Sequence, residues 1–119
     1  MSTRSVGNKL EKFIADYLKE IDSTAKPTKN SGASTQIADV LNRYFYIEAK
    51  KRNTDNITIK HRVWEKLCSE IPLQSLKIPL YISQNKHNNT LVTMDIKDFI
   101  RIVKETYGTQ KENKTRRNT

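Results

Sequence analysis

The sequence predicts an α/β protein, with a mixed central β-sheet flanked by helices. Two observations predict it. Three segments carry apolar residues at helical spacing. Between them lie short runs rich in aromatic and β-branched residues, bounded by turn formers. Strands and helices alternating in this way pack as layers around one core. A chain of 119 residues suits a single domain, placed here at residues 1 to 107, with a basic tail at 108 to 119.

Residues 1 to 6 read as a polar arm. Leu10, Phe13, Ile14, Tyr17, Leu18 and Ile21 then predict an amphipathic helix over 8 to 22. Residues 23 to 35, "STAKPTKNSGAST", contain Pro27 and Gly32 and read as a loop, with a short strand near Ala25 to Lys29. Two strands follow, "QIADVL" and "YFYIEAK". Only Asn42 and Arg43 separate them, which predicts a tight hairpin.

After the polar "RNTDN", Val63, Trp64, Leu67, Cys68 and Ile71 mark a second helix, stopped by Pro72. "KIPLYISQ" reads as a strand, "NKHNN" as a turn and "TLVTM" as a further strand. Asp95 is placed to cap a last helix whose inward face holds Ile96, Phe99, Ile100 and Val103. From Gly108 onward nothing apolar is available for burial, so a disordered tail is expected.

The charge balance is 22 basic against 13 acidic residues, a net +9 with a pI near 9.7. Such an excess suits a polyanionic partner, above all nucleic acid. The plainer alternative is a generally basic soluble protein. Cys68 is the only cysteine, so no intramolecular disulfide can form, which suits a reducing, intracellular compartment. Two histidines and one cysteine argue against a structural zinc site. The N-terminus lacks the apolar core of a signal peptide, and no apolar run approaches the ~18 residues a membrane span needs.

The chemistry concentrates in "YFYIEAKKR", residues 44 to 52. Strand alternation puts Phe45, Ile47 and Ala49 on one face, and Tyr44, Tyr46, Glu48 and Lys50 on the other. Asp39 lies in the preceding run, where aspartate is disfavoured by strand propensity. Two carboxylates on neighbouring strands repel, and a divalent cation between them removes the repulsion. Hard carboxylate oxygens suit Mg²⁺. Such an ion lowers the pKa of a bound water and offsets charge on a phosphate. Lys50 is placed to orient that water or offset developing charge.

As a string the signal is weak. With 7 Glu and 15 Lys, roughly one Glu-x-Lys match arises by chance. Glu112 to Lys114 is such a match, in the expected tail. The match at Glu48 differs because it ends a strand and follows an acid-bearing strand. Glu11, beside Leu10 in the first helix, offers a third carboxylate. A first-turn glutamate favoured by the helix dipole is the alternative.

"GNKLEKFIADYL", "KNSGAS", "IADVL" and "YIEAKKR", in that order, resemble the PD-(D/E)xK nuclease superfamily, and within it the Holliday-junction resolvases of archaeal and phage type. The resemblance spans roughly residues 5 to 105. It maps the motif onto Gly7 and Glu11, Lys26 or Lys29, Ser31 and Gly32, Asp39, and Glu48 with Lys50. It implies a restriction-endonuclease-like core and a homodimer that binds four-way DNA junctions and makes paired, Mg²⁺-dependent cuts, with Mn²⁺ as a substitute ion. Asp39 and Glu48 would ligate metal, Glu11 would complete the site, and Lys50 would support the attacking water. Ser31 would sit in a loop near the scissile strand. The family often carries arginine where Lys26 or Lys29 stands, and lysine lacks the bidentate fork.

Lys51, Arg52, Lys60 and Arg62 flank this site and are candidates for phosphate contact, together with Lys26, Lys29 and Ser31. A solvated basic face is the equal alternative. Trp64 falls on an apolar stripe and is expected in the core. Tyr44 and Tyr46 are expected to pack under the first helix. His61 and His87 receive no role. Two other functions remain open: a nuclease of the same fold acting on nicked, flapped or linear DNA, and a nucleic-acid-binding module without chemistry.

Overall fold

The computed structural model describes residues 3 to 28 and 38 to 118. The elements run α1 (Thr3–Leu18), β1 (Lys26–Pro27), β2 (Val40–Leu41), β3 (Phe45–Lys51), α2 (His61–Glu70), β4 (Ile78–Gln84), β5 (Thr90–Thr93) and α3 (Ile96–Asn118). The five strands form one mixed sheet in the order β1-β2-β3-β4-β5. Only β3 and β4 are parallel, joined by a crossover that contains α2. The other neighbours are antiparallel. This is the α/β arrangement that the alternating periodicities predict.

Alternation along the strands divides the core into two. On one face Val40, Ile47, Leu80 and Ile82 pack against Leu10, Ile14 and Ala15 of α1. On the other, Tyr46 and Tyr81 pack with Ala38 and Leu67, supported by Val63 and Trp64 of α2 and by Ile71 just after it. Trp64, expected in the core, is half-buried and packs against this cluster. Tyr46 is packed too, but under the second helix and not the first, because it faces away from Ile47. Tyr44 is exposed.

The helix ends follow local chemistry. α2 stops at Glu70, and Ile71 is extended at φ −73, ψ 125, the conformation a following proline imposes. Asp95 caps α3: its Oδ1 accepts from the Lys97 amide at 2.7 Å. α1 begins at Thr3, not residue 8, so most of the expected polar arm is helical. Gly7 in its interior costs only about 1 kcal/mol, which helix propagation tolerates. α1 also ends earlier than residue 22. Its last turn tightens through Ile21 N–H to Leu18 O at 2.9 Å, and buried Asp22 accepts from Thr24 and from the Arg43 amide.

One strand is much shorter than expected. β2 covers Val40–Leu41 and not the whole of "QIADVL"; Gln36 and Ile37 lie outside the described residues. The hairpin turn is held by buried Asn42, whose Oδ1 accepts from the amides of Tyr44 (2.9 Å) and Phe45 (2.8 Å). Its Nδ2 donates to Phe45 O at 3.0 Å. At the other end of the chain, α3 is helical through Asn118, where a disordered tail was expected. Gln, Lys, Glu and Arg are good helix formers.

The face of α3 read as inward is not buried. Ile96 is 71% exposed, Phe99 50% and Ile100 51%. Only Phe99 and Ile102 lean over the sheet, walling an apolar groove of about 650 Å³ with Phe13 and Tyr17 of α1, Leu80 of β4 and Val92 of β5.

Candidate active site

Asp39 sits immediately before β2, one step beyond the Val40–Ile47 pair. Its amide donates to Ile47 O at 2.8 Å, and its carbonyl accepts from Thr28 at 3.0 Å. Its carboxylate then takes the place of the next rung, with Oδ2 accepting from the Ala49 amide at 2.8 Å. That bond explains the short β2, because the side chain satisfies an amide that a longer strand would have paired. It also fixes an acid beside the strand that bears Glu48 and Lys50.

Glu48 is half-buried on the α2 face of β3, opposite Tyr81. Burial, then the charges of Asp39 and Glu70, push its carboxyl up to about 7; Lys66 and Lys50 act in the opposite sense. Glu11 is also half-buried, and burial followed by Asp39 raises it to about 7. Burial raises Asp39 as well. The Ala49 amide and Lys50 oppose that shift, and Glu70 adds to it. Asp39 is thus the common neighbour: its charge acts on Glu11 of α1 and on Glu48 of β3, and Lys50 acts on both Asp39 and Glu48.

The sequence reading missed Glu70. It is the last residue of α2, with a side chain only 11% exposed and Lys66 Nζ at 3.9 Å. Its charge acts on Asp39, Glu48 and Tyr46. A signal was available. An acid in the last turn of a helix opposes the helix dipole, and this one lies three residues after Leu67 on the buried stripe.

These acids fit a hard cation by their oxygen donors, their burial and their mutual repulsion. Among the described residues, no three acidic, histidine or cysteine side chains converge closely enough to chelate an ion as they stand. Side-chain rotation would have to close the set.

The expected phosphate contacts separate. Lys50 is exposed on the site face. Lys51 belongs to the opposite face, and its ammonium donates to Asn85 O at 2.8 Å and Asn88 Oδ1 at 2.9 Å, tying down the β4–β5 turn. Arg52 continues the β3 ladder through its amide to Gln84 O at 2.9 Å. Its Nε is buried with no partner among the described residues, as is Ser83 Oγ on β4, in register with Lys50. Lys60 and Arg62 are exposed at the start of α2, and Lys26 is exposed on β1. Lys29, Ser31 and Gly32 lie outside the described residues. His61 pairs with Glu65, and His87 with Asp55.

No protein-family model, curated protein or solved structure matches the chain. No helix among the described residues is long and apolar enough to cross a membrane.

Proposed function

We propose that the chain is an intracellular, Mg²⁺-dependent, structure-selective DNA endonuclease that resolves four-way junctions by paired cuts, acting as a homodimer. The observation that carries this reading is Asp39, bonded to the Ala49 amide of β3, with its charge acting both on Glu48 of that strand and on Glu11 of α1, and Lys50 two residues after Glu48. Charge repulsion among half-buried carboxylates is costly unless a cation offsets it. Asp39, Glu48 and Glu11 would hold Mg²⁺ or Mn²⁺, and the ion would supply an acidified water and charge neutralisation at the phosphodiester.

The remaining work falls to the chain. The Ala49 amide holds Asp39 in place. Lys50 offsets negative charge as it develops on the phosphate. The excess of positive charge draws the DNA backbone to the protein. A near-symmetric junction needs two cuts, which a two-fold dimer provides.

The test incubates the protein with an end-labelled four-way junction and a matched linear duplex, in Mg²⁺ or EDTA, beside Asp39→Asn. Metal-dependent paired cuts in the junction alone support a resolvase. Cutting of both substrates keeps the nuclease site and discards junction selectivity. Tight binding without cutting overturns the reading in favour of a binding module.

A further inference from the structure

Lys66 and Glu70 stand on α2 in an order that does not serve the helix. An i,i+4 ion pair supports a helix best with the acid first, and here the lysine comes first. Glu70 also occupies the last turn, where the helix dipole disfavours an acid. The two share one side of α2, next to buried Leu67, and the charges of both reach Glu48 on the sheet below.

Their surroundings differ. The side chain of Glu70 is 11% exposed, and that of Lys66 is 70% exposed. The acid is held in place, while the cation can leave. At 3.9 Å the two are too far apart for a hydrogen bond, so charge alone holds the ammonium. Glu48 feels the same ammonium. Of the two lysines that favour its charged form, Lys66 acts more strongly than Lys50, although Lys50 shares its strand.

We propose that Lys66 is the resident cation of the acidic site, offsetting Glu48 and Glu70 when no metal ion is bound and displaced when one arrives. The inference rests on the cation-binding reading of the site and not on DNA cleavage. Half-buried acids need a counter-charge. A lysine on its flexible four-carbon stem supplies one without a fixed geometry. A divalent ion brings twice the charge and binds carboxylate oxygens directly. Like-charge repulsion then turns the ammonium out to solvent. Lys66 thereby sets the metal concentration at which the site fills, and its removal leaves the acids more attractive to a metal ion.

The test is Mn²⁺ binding to the intact chain by isothermal titration calorimetry, at pH 8 and constant ionic strength, without nucleic acid. Lys66→Met is expected to bind roughly three- to tenfold more tightly than the wild type. Lys66→Arg keeps the charge and is expected to match the wild type. Lys104→Met removes one charge at an exposed position of α3, which controls for the net +9, and is expected to match it too. Far-UV circular dichroism checks that each variant folds. Binding by Lys66→Met alone also supports the proposal, because the lysine then blocks the site outright. No gain in Lys66→Met, or an equal gain in Lys104→Met, overturns the proposal and leaves the metal site standing. No Mn²⁺ binding by the wild type or Lys66→Met overturns the cation-binding reading and this inference with it.

Discussion

Asp39 accepts a hydrogen bond from the backbone amide of Ala49 at 2.8 Å, so the acid is anchored to the middle of the strand that carries Glu48 and Lys50. One bond ends β2 and places the carboxylate at the same time.

This dual role separates two substitutions. Asp39→Asn keeps an oxygen that can accept from Ala49, so folding should survive while cleavage falls by at least a hundredfold. Asp39→Ala leaves the amide unpaired and should cost roughly 1–3 kcal/mol. Urea denaturation of both variants checks this, and equal stability losses would remove the anchoring role.

Stability should fall with rising pH. In the folded chain Glu11 and Glu48 lie near 7, above the ordinary value of 4.5. Between those values the folded state binds more protons than the unfolded one. The contribution of these two groups is then greatest below about 4.5, declines as pH rises toward 7, and levels off above it. Melting in EDTA from pH 5 to 8 should show the decline. Glu48→Gln should flatten it and gain roughly 1–2 kcal/mol at neutral pH, after allowance for solvent screening. Mg²⁺ at pH 7.5 should raise the melting temperature of the wild type more than that of the variant.

Glu70→Gln tests the acid found only in the structure. Loss of one negative charge near the site should weaken cation attraction by on the order of 1 kcal/mol, about fivefold. The Mg²⁺ concentration for half-maximal cleavage should rise by that factor, with a smaller loss of maximal rate than Glu48→Gln causes. An unchanged Mg²⁺ requirement would make Glu70 a partner of Lys66 alone.

Two buried polar side chains should respond in opposite ways. Asn42→Ala removes an acceptor for two amides and a donor to Phe45 O, and should cost roughly 2–3 kcal/mol. Ser83→Ala deletes a buried hydroxyl with no partner among the described residues and should be neutral or stabilising. Thermal denaturation in EDTA distinguishes them.

Local physics made much of this protein legible from its residues. The 3.6-residue stripe of Leu10, Ile14 and Leu18 foretold a helix. Strand alternation put Glu48 and Lys50 on one face, Pro72 stopped α2, and Asp95 capped α3. Each depends on neighbours a few positions away. Tertiary packing decided the rest. Glu70 joins Glu48 because α2 crosses over Tyr46 and Tyr81. Lys51 is bound to the β4–β5 turn because β3 and β4 are parallel. The stripe of α3 foretold a buried face, yet Ile96 and Ile100 stay exposed, because periodicity shows that a helix has an apolar side and not what lies against it.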